Sequence, residues 1–164
     1  MKRKRPSWSN WFPQLSARPS PQDLVQIIPP LKRREYSIAS SQKLHPNEVH
    51  LLIVVVDWVD TNGKVRYGQC SKYLSDLAVG QELVVSVKPS IMKLPPKTTQ
   101  PIVMAGLGTG LAPFKAFLEE RQYQLEHGEE IGEAYLYLGS RHKREEYLYG
   151  EFTFKIRLER TSMN

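Results

Sequence analysis

Cysteine is almost missing: Cys70 is the single one in 164 residues. An internal disulfide is therefore excluded, and with it the class of small stapled domains, so a reducing compartment is expected. Long apolar runs are missing too. The longest aliphatic stretch is Leu51 to Val56, far short of the ~20 residues that carry a helix across a bilayer. Behind the basic start stands Pro6-Ser7-Trp8-Ser9-Asn10-Trp11-Phe12-Pro13 rather than an apolar segment, so no secretory leader is expected. These absences point to a cytoplasmic protein with no membrane partner. Metal-ligand spacing is also lacking: His45, His50, His127 and His142 stand apart from cysteines and paired acids, so structural or surface roles and no metal are expected. Glu119-Glu120 and Glu129-Glu130 read as solvated acids flanking a helix end, not as an acid-base pair. No repeat recurs at periods of about 20 to 50 residues.

Lysine and arginine outnumber aspartate and glutamate by 23 to 17. Much of the excess lies in Lys2-Arg3-Lys4-Arg5 and Lys32-Arg33-Arg34. Nothing aromatic or motif-like interleaves with the first run, which reads as a solvated terminus and gives no nucleic-acid partner. A mild positive balance does suit anionic dinucleotides.

Residues 1–30 hold Pro6, Pro13, Pro19, Pro21, Pro29 and Pro30, which remove donors that helices and ladders need. This stretch is expected to be a linker or remnant, with room for a short helix only over Asp23–Ile28. Glu35–Ser41 is compatible with a strand, and Val49–Val59 is a β-branched run long enough for burial on both faces. Asp60-Thr61-Asn62-Gly63 is a turn signal, so Lys64–Tyr67 is the expected returning strand of a hairpin. A short helix capped by Ser71 is expected over Ser71–Leu77, and a further strand over Leu83–Lys88. Beyond the proline-rich connector at 89–101 the rhythm changes to strand Ile102–Ala105, glycine turn, helix Leu111–Glu126 stopped by Gly128, and strand Ala134–Leu138. That is one βαβ unit. The expected fold is α+β with two lobes, a partial antiparallel barrel followed by a partial α/β lobe with a parallel sheet.

Three motifs carry chemistry. Gly106-Leu107-Gly108-Thr109-Gly110-Leu111-Ala112-Pro113-Phe114 lies between strand and helix, where glycines let a pyrophosphate reach free helix N–H groups. Leu111 stands where the common dinucleotide fingerprint has its third glycine. No acid closes the second strand; Gly139-Ser140-Arg141 does, and an arginine there suits a 2'-phosphate better than a bare ribose. A plain strand-to-helix turn is the bland alternative. Arg34-Glu35-Tyr36-Ser37 offers a guanidinium for phosphate, a flat ring for stacking and a hydroxyl for a hydrogen bond; an ordinary strand with Tyr36 in the core is its alternative. Gly68-Gln69-Cys70-Ser71-Lys72-Tyr73-Leu74 opens a helix whose N-terminus attracts anions, or is a normal cap after a hairpin.

In this order and spacing the motifs resemble the ferredoxin-NADP reductase family and, more narrowly, its diflavin branch, over about residues 18–152. The wording of Leu138-Gly139-Ser140-Arg141-His142-Lys143-Arg144-Glu145-Glu146-Tyr147-Leu148-Tyr149-Gly150-Glu151 is similar to the sulfite-reducing flavoproteins of that branch. The resemblance implies that residues 31–97 belong to an FAD-binding barrel and 98–152 to an NADP-binding lobe, with 153–164 a divergent tail. It implies that Arg34 pairs with the FAD pyrophosphate, Tyr36 stacks on the isoalloxazine, and Ser37, the expected catalytic residue, hydrogen-bonds near the reactive nitrogen. Leu52 and Val54 would touch the flavin, and Trp58 would lie against adenine or simply fill the core. Gly68, Gln69, Cys70 and Ser71 would wrap the FAD phosphates, with Cys70 there for packing and not redox chemistry. Gly106, Gly108, Thr109, Gly110, Ala112 and Pro113 would hold NADPH, with Arg141 near its phosphates or ribose.

The implied activity is hydride transfer from NADPH to FAD, then single electrons to an FMN bound elsewhere in a full-length enzyme and on to a sirohaem sulfite reductase subunit. A diflavin reductase serving a haem acceptor and a catalytically silent fragment are the alternatives. The family's downstream phosphate-gripping elements and its opening barrel strands do not appear in the sequence, so a truncated slice of a larger enzyme is expected, with weak FAD binding or marginal folding.

Overall fold

The computed structural model describes residues 19–139 and 148–149. Arg141 and the tail at 153–164 lie outside them. The chain divides into two units, 1–34 and 35–164.

In the first unit, helix α1 spans Pro21–Ile27, two residues earlier than the expected Asp23 start. Ser20 caps it: its hydroxyl accepts the Asp23 N–H while Asp23 accepts the Ser20 N–H, a reciprocal box that satisfies two end donors. Pro21, having no N–H to lose, begins the helix without penalty.

In the second unit, chain 35–41 meets the following segment at one antiparallel bridge, Ile38 to Leu51, extended by the Ala39 N–H to His50 carbonyl bond of 2.8 Å. Strands β1 (Asp57–Val59) and β2 (Val65–Tyr67) form the expected hairpin, with Asp57 opposite Tyr67 and Val59 opposite Val65. However, β1 takes only the last three residues of the run expected over Val49–Val59, whose Val49, Val54 and Val56 are exposed and not buried on both faces. Asp60 organises the turn. Its carboxylate accepts the N–H groups of Asn62 and Lys64 at 2.9 and 3.0 Å and the Arg66 guanidinium at 2.8 Å. Gly63 completes the turn at φ +76°, a left-handed value that glycine adopts without steric cost.

Helix α2 spans Gln69–Ser75 with Gly68 as its cap. Ser71 is therefore not the cap that the sequence suggests; it lies inside the first turn. Leu83–Lys88 is not a strand either. Among the described residues it has no ladder partner, and Val84 is fully exposed. Alternation of apolar residues signals a face that wants cover, but hydrogen bonds to a neighbour make a strand. The antiparallel region is thus a hairpin and a bridge, and no barrel is shown.

The βαβ unit forms as expected. Strand β3 (Ile102–Leu107) leads through a 3-10 turn (Gly108–Leu111) into helix α3 (Ala112–Glu126), and strand β4 (Ala134–Gly139) returns parallel to β3 in register from Ile102–Ala134 to Leu107–Gly139. The helix starts one residue later than expected because the glycine loop winds as 3-10 before it. Gly128 at φ +78° ends it, and the Glu129 N–H returns to the Gln124 carbonyl at 2.9 Å, the Schellman pattern for satisfying last-turn carbonyls. Met104, Leu111, Ala112 and Leu118 are buried around this unit. No helix among the described residues is long and apolar enough to cross a membrane.

Candidate functional site

The glycine loop between β3 and α3 has the features of an anion cradle. At Gly106 an added Cβ would lie 3.1 Å from the Phe114 ring and 3.2 Å from the Gly110 carbonyl, so a side chain there would press the strand end against the turn. At Gly108 and Gly110 an added Cβ would meet nothing within 4 Å. Open space therefore fronts the loop, where a side chain would otherwise stand in the way of a phosphate. Gly108 also takes φ +51°. No side chain caps the 3-10 turn or α3. The Ala112 N–H returns to the Thr109 carbonyl and Pro113 has none, so the donors for an anion are the N–H groups that open the 3-10 turn. Thr109 is exposed beside them and Ala112 is buried against the fold. Arg141, the remaining residue expected to face the nucleotide, lies outside the described residues.

The residues expected at the flavin are placed less uniformly. Arg34 belongs to the first unit, where its guanidinium donates to the Lys32 carbonyl at 2.6 Å. In the second unit Tyr36, Leu52 and Trp58 are half-buried, while Ser37 and Val54 are exposed. Gly68 and Ser71 form a tight corner. The Gly68 N–H donates to the Val56 carbonyl at 2.7 Å, and the Ser71 hydroxyl accepts the Val56 N–H at 3.1 Å while donating to the Gly68 carbonyl at 3.2 Å. A Cβ on Gly68 would come within 2.9 Å of that hydroxyl and 3.1 Å of Val56 Cβ. Ser71 is thus a brace that ties α2 to the chain before β1, and its hydroxyl is already engaged. The first intrahelical bond is Lys72 N–H to Gly68 carbonyl. Gln69, Cys70 and Ser71 therefore keep their N–H groups outside the helical ladder, which fits phosphate contact through backbone and not through the serine hydroxyl. Cys70 is half-buried, consistent with packing.

One constellation escaped the sequence. Glu119 is not a solvated acid: it is 2% exposed, and Lys115, 7% exposed, pairs with it one turn away. The Ser41 N–H donates to Glu119 Oε2 at 2.9 Å, and His45 Nε2 lies 3.3 Å from Oε1. His45, His50 and Glu119 bring three ligand-capable atoms within 4.8 Å of one another. Glu120 is half-buried as well, accepting the Ser41 hydroxyl at 2.7 Å and pairing with Lys43 at 3.0 Å; its carboxylate holds the Lys43 ammonium above the ordinary lysine range. The hydrogen bond from His50 holds Glu48 below the ordinary carboxylate range. No residue spacing could have announced this cluster, because Ser41 and Glu119 are 78 residues apart. The one available hint was that Lys115 and Glu119 are four apart on one helix face.

Residues 9–73 match the family model described as FAD binding domain. Over 136 residues the chain is 76% identical to the sulfite reductase [NADPH] flavoprotein component of Saccharomyces cerevisiae, covering 83% of this chain and 13% of that protein. It is 63% identical over 128 residues to the probable sulfite reductase [NADPH] flavoprotein component of Schizosaccharomyces pombe, covering 78% of this chain and 13% of that one. Identity to the NADPH–cytochrome P450 reductase of Rattus norvegicus is 42% over 142 residues, 83% of this chain and 21% of that protein. The chain thus spans a small part of the length of each relative. Motifs, flavin-domain match and relatives agree: the chain is similar to a slice of the NADPH-dependent diflavin reductases.

Proposed function

We propose that this chain carries flavin-facing and nucleotide-facing segments of an NADPH-dependent flavoprotein oxidoreductase of the sulfite reductase type. The observation that carries the reading is the open, uncapped glycine loop at Gly106–Pro113 in front of α3, in a chain 76% identical to a sulfite reductase [NADPH] flavoprotein component. In this reading residues 31–97 serve FAD and residues 98–152 serve NADPH. Arg34 pairs with the FAD pyrophosphate, and Tyr36, Leu52, Val54 and Trp58 contact its rings. The N–H groups of Gln69, Cys70 and Ser71 meet its phosphates, with Gly68 permitting the corner. Ser37 supplies a hydroxyl beside the reacting nitrogen. Gly106, Gly108, Thr109, Gly110, Ala112 and Pro113 seat the NADPH pyrophosphate, and Arg141 lies by its ribose phosphate.

FAD, when bound, supplies hydride acceptance from NADPH and release of electrons one at a time. The protein's part is to hold donor and acceptor atoms within ~3 to 3.5 Å and to keep water out. The onward route in the whole enzyme would run through FMN to a sirohaem subunit that reduces sulfite. The higher identity to the sulfite reductase components than to cytochrome P450 reductase favours that acceptor over another haem protein. Anaerobic titration of the purified chain with FAD and then NADPH, following flavin absorbance, tests the reading. In line with a partial barrel, FAD is expected to bind weakly; bleaching of the bound flavin by NADPH supports the reading, and a chain that leaves added FAD free in solution contradicts it.

A further inference from the structure

Helix α3 turns a charged, dry face toward residues 39–50. Lys115 Nζ donates to the Ala39 carbonyl at 3.0 Å and to Glu119 Oε1; Glu119 Oε2 accepts the Ser41 N–H at 2.9 Å, and Oε1 also faces His45. Both charged side chains are more than nine-tenths buried. His45, His50 and Glu119 have the spacing of a cation site, yet the Lys115 ammonium touches the Glu119 oxygen that faces His45. A divalent ion there would meet a buried like charge, so the cluster is a hydrogen-bonded network and not a metal centre.

The network joins two segments that the proposed chemistry must align. Ala39 and Ser41 follow directly on Tyr36 and Ser37, while Lys115 and Glu119 lie one and two turns behind the Gly106–Pro113 loop. A buried ion pair is a poor device for stability alone, because desolvation offsets most of its attraction and a packed apolar pair serves as well. Its directed bonds do fix register. We propose that Glu119, acting through Lys115 and the Ser41 amide, is a positioning residue that fixes the Tyr36–Ser37 segment against the nucleotide loop and so sets the distance for hydride transfer. This rests on the reading of the chain as an NADPH–FAD reductase.

The test compares the FAD-loaded full chain with Glu119→Gln, which keeps the shape but replaces the carboxylate that faces Lys115 and Ser41 by an uncharged, weaker acceptor. FAD and NADPH affinities are expected to stay within about threefold, while flavin bleaching at saturating NADPH slows by roughly 10- to 100-fold, the scale of an ångström-sized misplacement. Bleaching at the wild-type rate overturns the proposal. Should Glu119→Gln fail to hold FAD, Glu119→Asp retains the charge but retracts it by one methylene; slower bleaching at full FAD occupancy supports the proposal and unchanged bleaching overturns it. If the wild-type chain itself does not bleach, the functional reading fails, and amide exchange still decides the lock. Exchange at the Ser41 N–H is expected to be at least about tenfold faster in Glu119→Gln than in wild type, and equal exchange overturns it.

Discussion

Residues 102–139 and residues 35–97 differ in how they satisfy their backbone. In the first stretch β3 and β4 pair along six positions each, and α3 connects them with both ends accounted for. In the second, the ladders amount to a three-residue hairpin and one isolated bridge, and Val79, Val84 and Ile91 are fully exposed. A βαβ unit is finished when two strands meet across their own connection. An antiparallel barrel is finished only when every strand has two neighbours. The comparison teaches that family motifs can be present in two regions while the hydrogen-bonded ladders between their strands differ in extent.

The strongest tie between these regions is the buried Lys115–Glu119 network, so breaking it carries the largest expected effect. Glu119→Leu removes the carboxylate from the Lys115 ammonium and the Ser41 N–H at once. A loss of about 3 to 5 kcal/mol is expected from urea unfolding, the range for removing one partner of a buried pair. That is a large share of a domain's usual ~5 to 15 kcal/mol. A loss below about 1 kcal/mol would mean that the second stretch holds to α3 by other means.

Next in size are the glycines of the closed stretch. Gly132 precedes β4, where a Cβ would fall 2.3 Å from the Thr99 carbonyl oxygen and 2.6 Å from Gln100 and Thr99 carbonyl carbons. All of these are backbone atoms that cannot swing away, so Gly132→Ala is expected to cost about 1 to 3 kcal/mol in thermal unfolding. Gly110→Ala is the contrasting case. Its Cβ meets nothing, so stability should hold within about 0.5 kcal/mol. The same methyl would stand in the space proposed for the nucleotide, so NADPH affinity, measured by titration of the FAD-loaded chain, is expected to fall at least about tenfold.

The same comparison explains what could be read in advance. The strand-turn-helix-strand order, the glycine loop and the Gly128 stop were all legible because each is decided within a few residues or across one connection. The hairpin around Asp60 to Gly63 was legible for the same reason. The strand expected over Leu83–Lys88 rested on alternation, which shows a face and not a neighbour. Glu119 was misread because its buried role depends on Ser41 and His45, which no local pattern links to it. The site was legible as motifs. That Ser71 would spend its hydroxyl on Val56 and Gly68 was hidden, since a G-x-x-S pattern does not say whether the serine faces a ligand or its own chain.

A smaller, pH-dependent effect is expected in the hairpin. The hydrogen bond from Arg66, with the Lys64 and Asn62 amides, holds Asp60 below the ordinary carboxylate range. A folded-state pKa below the unfolded one means that the turn gains stability above the unfolded value, about 3.9, and loses it as pH falls through the folded value. Backbone amide shifts of Asn62 and Lys64 should therefore move together with acid. In Asp60→Asn the acid-linked movement should vanish, and its persistence would assign the transition to another group.

The smallest expected effect probes the open stretch directly. Val84 is fully exposed, and Lys88, four residues on, meets the chain before it through an exposed pair with Glu35 at 2.5 Å. Exposed ion pairs contribute little, with screening and side-chain entropy offsetting their attraction. Val84→Thr keeps the branched shape and replaces one methyl by a hydroxyl that solvent can satisfy. Where the valine is buried, the hydroxyl would be left without a partner and cost on the order of 1 to 3 kcal/mol. Where the valine faces water, the change stays within about 0.5 kcal/mol. The structure predicts the second result in urea unfolding of the 164-residue chain. The first would show that residues 83–88 find a covering strand in solution, and the contrast between the closed and open stretches would then narrow to one of length and not of closure.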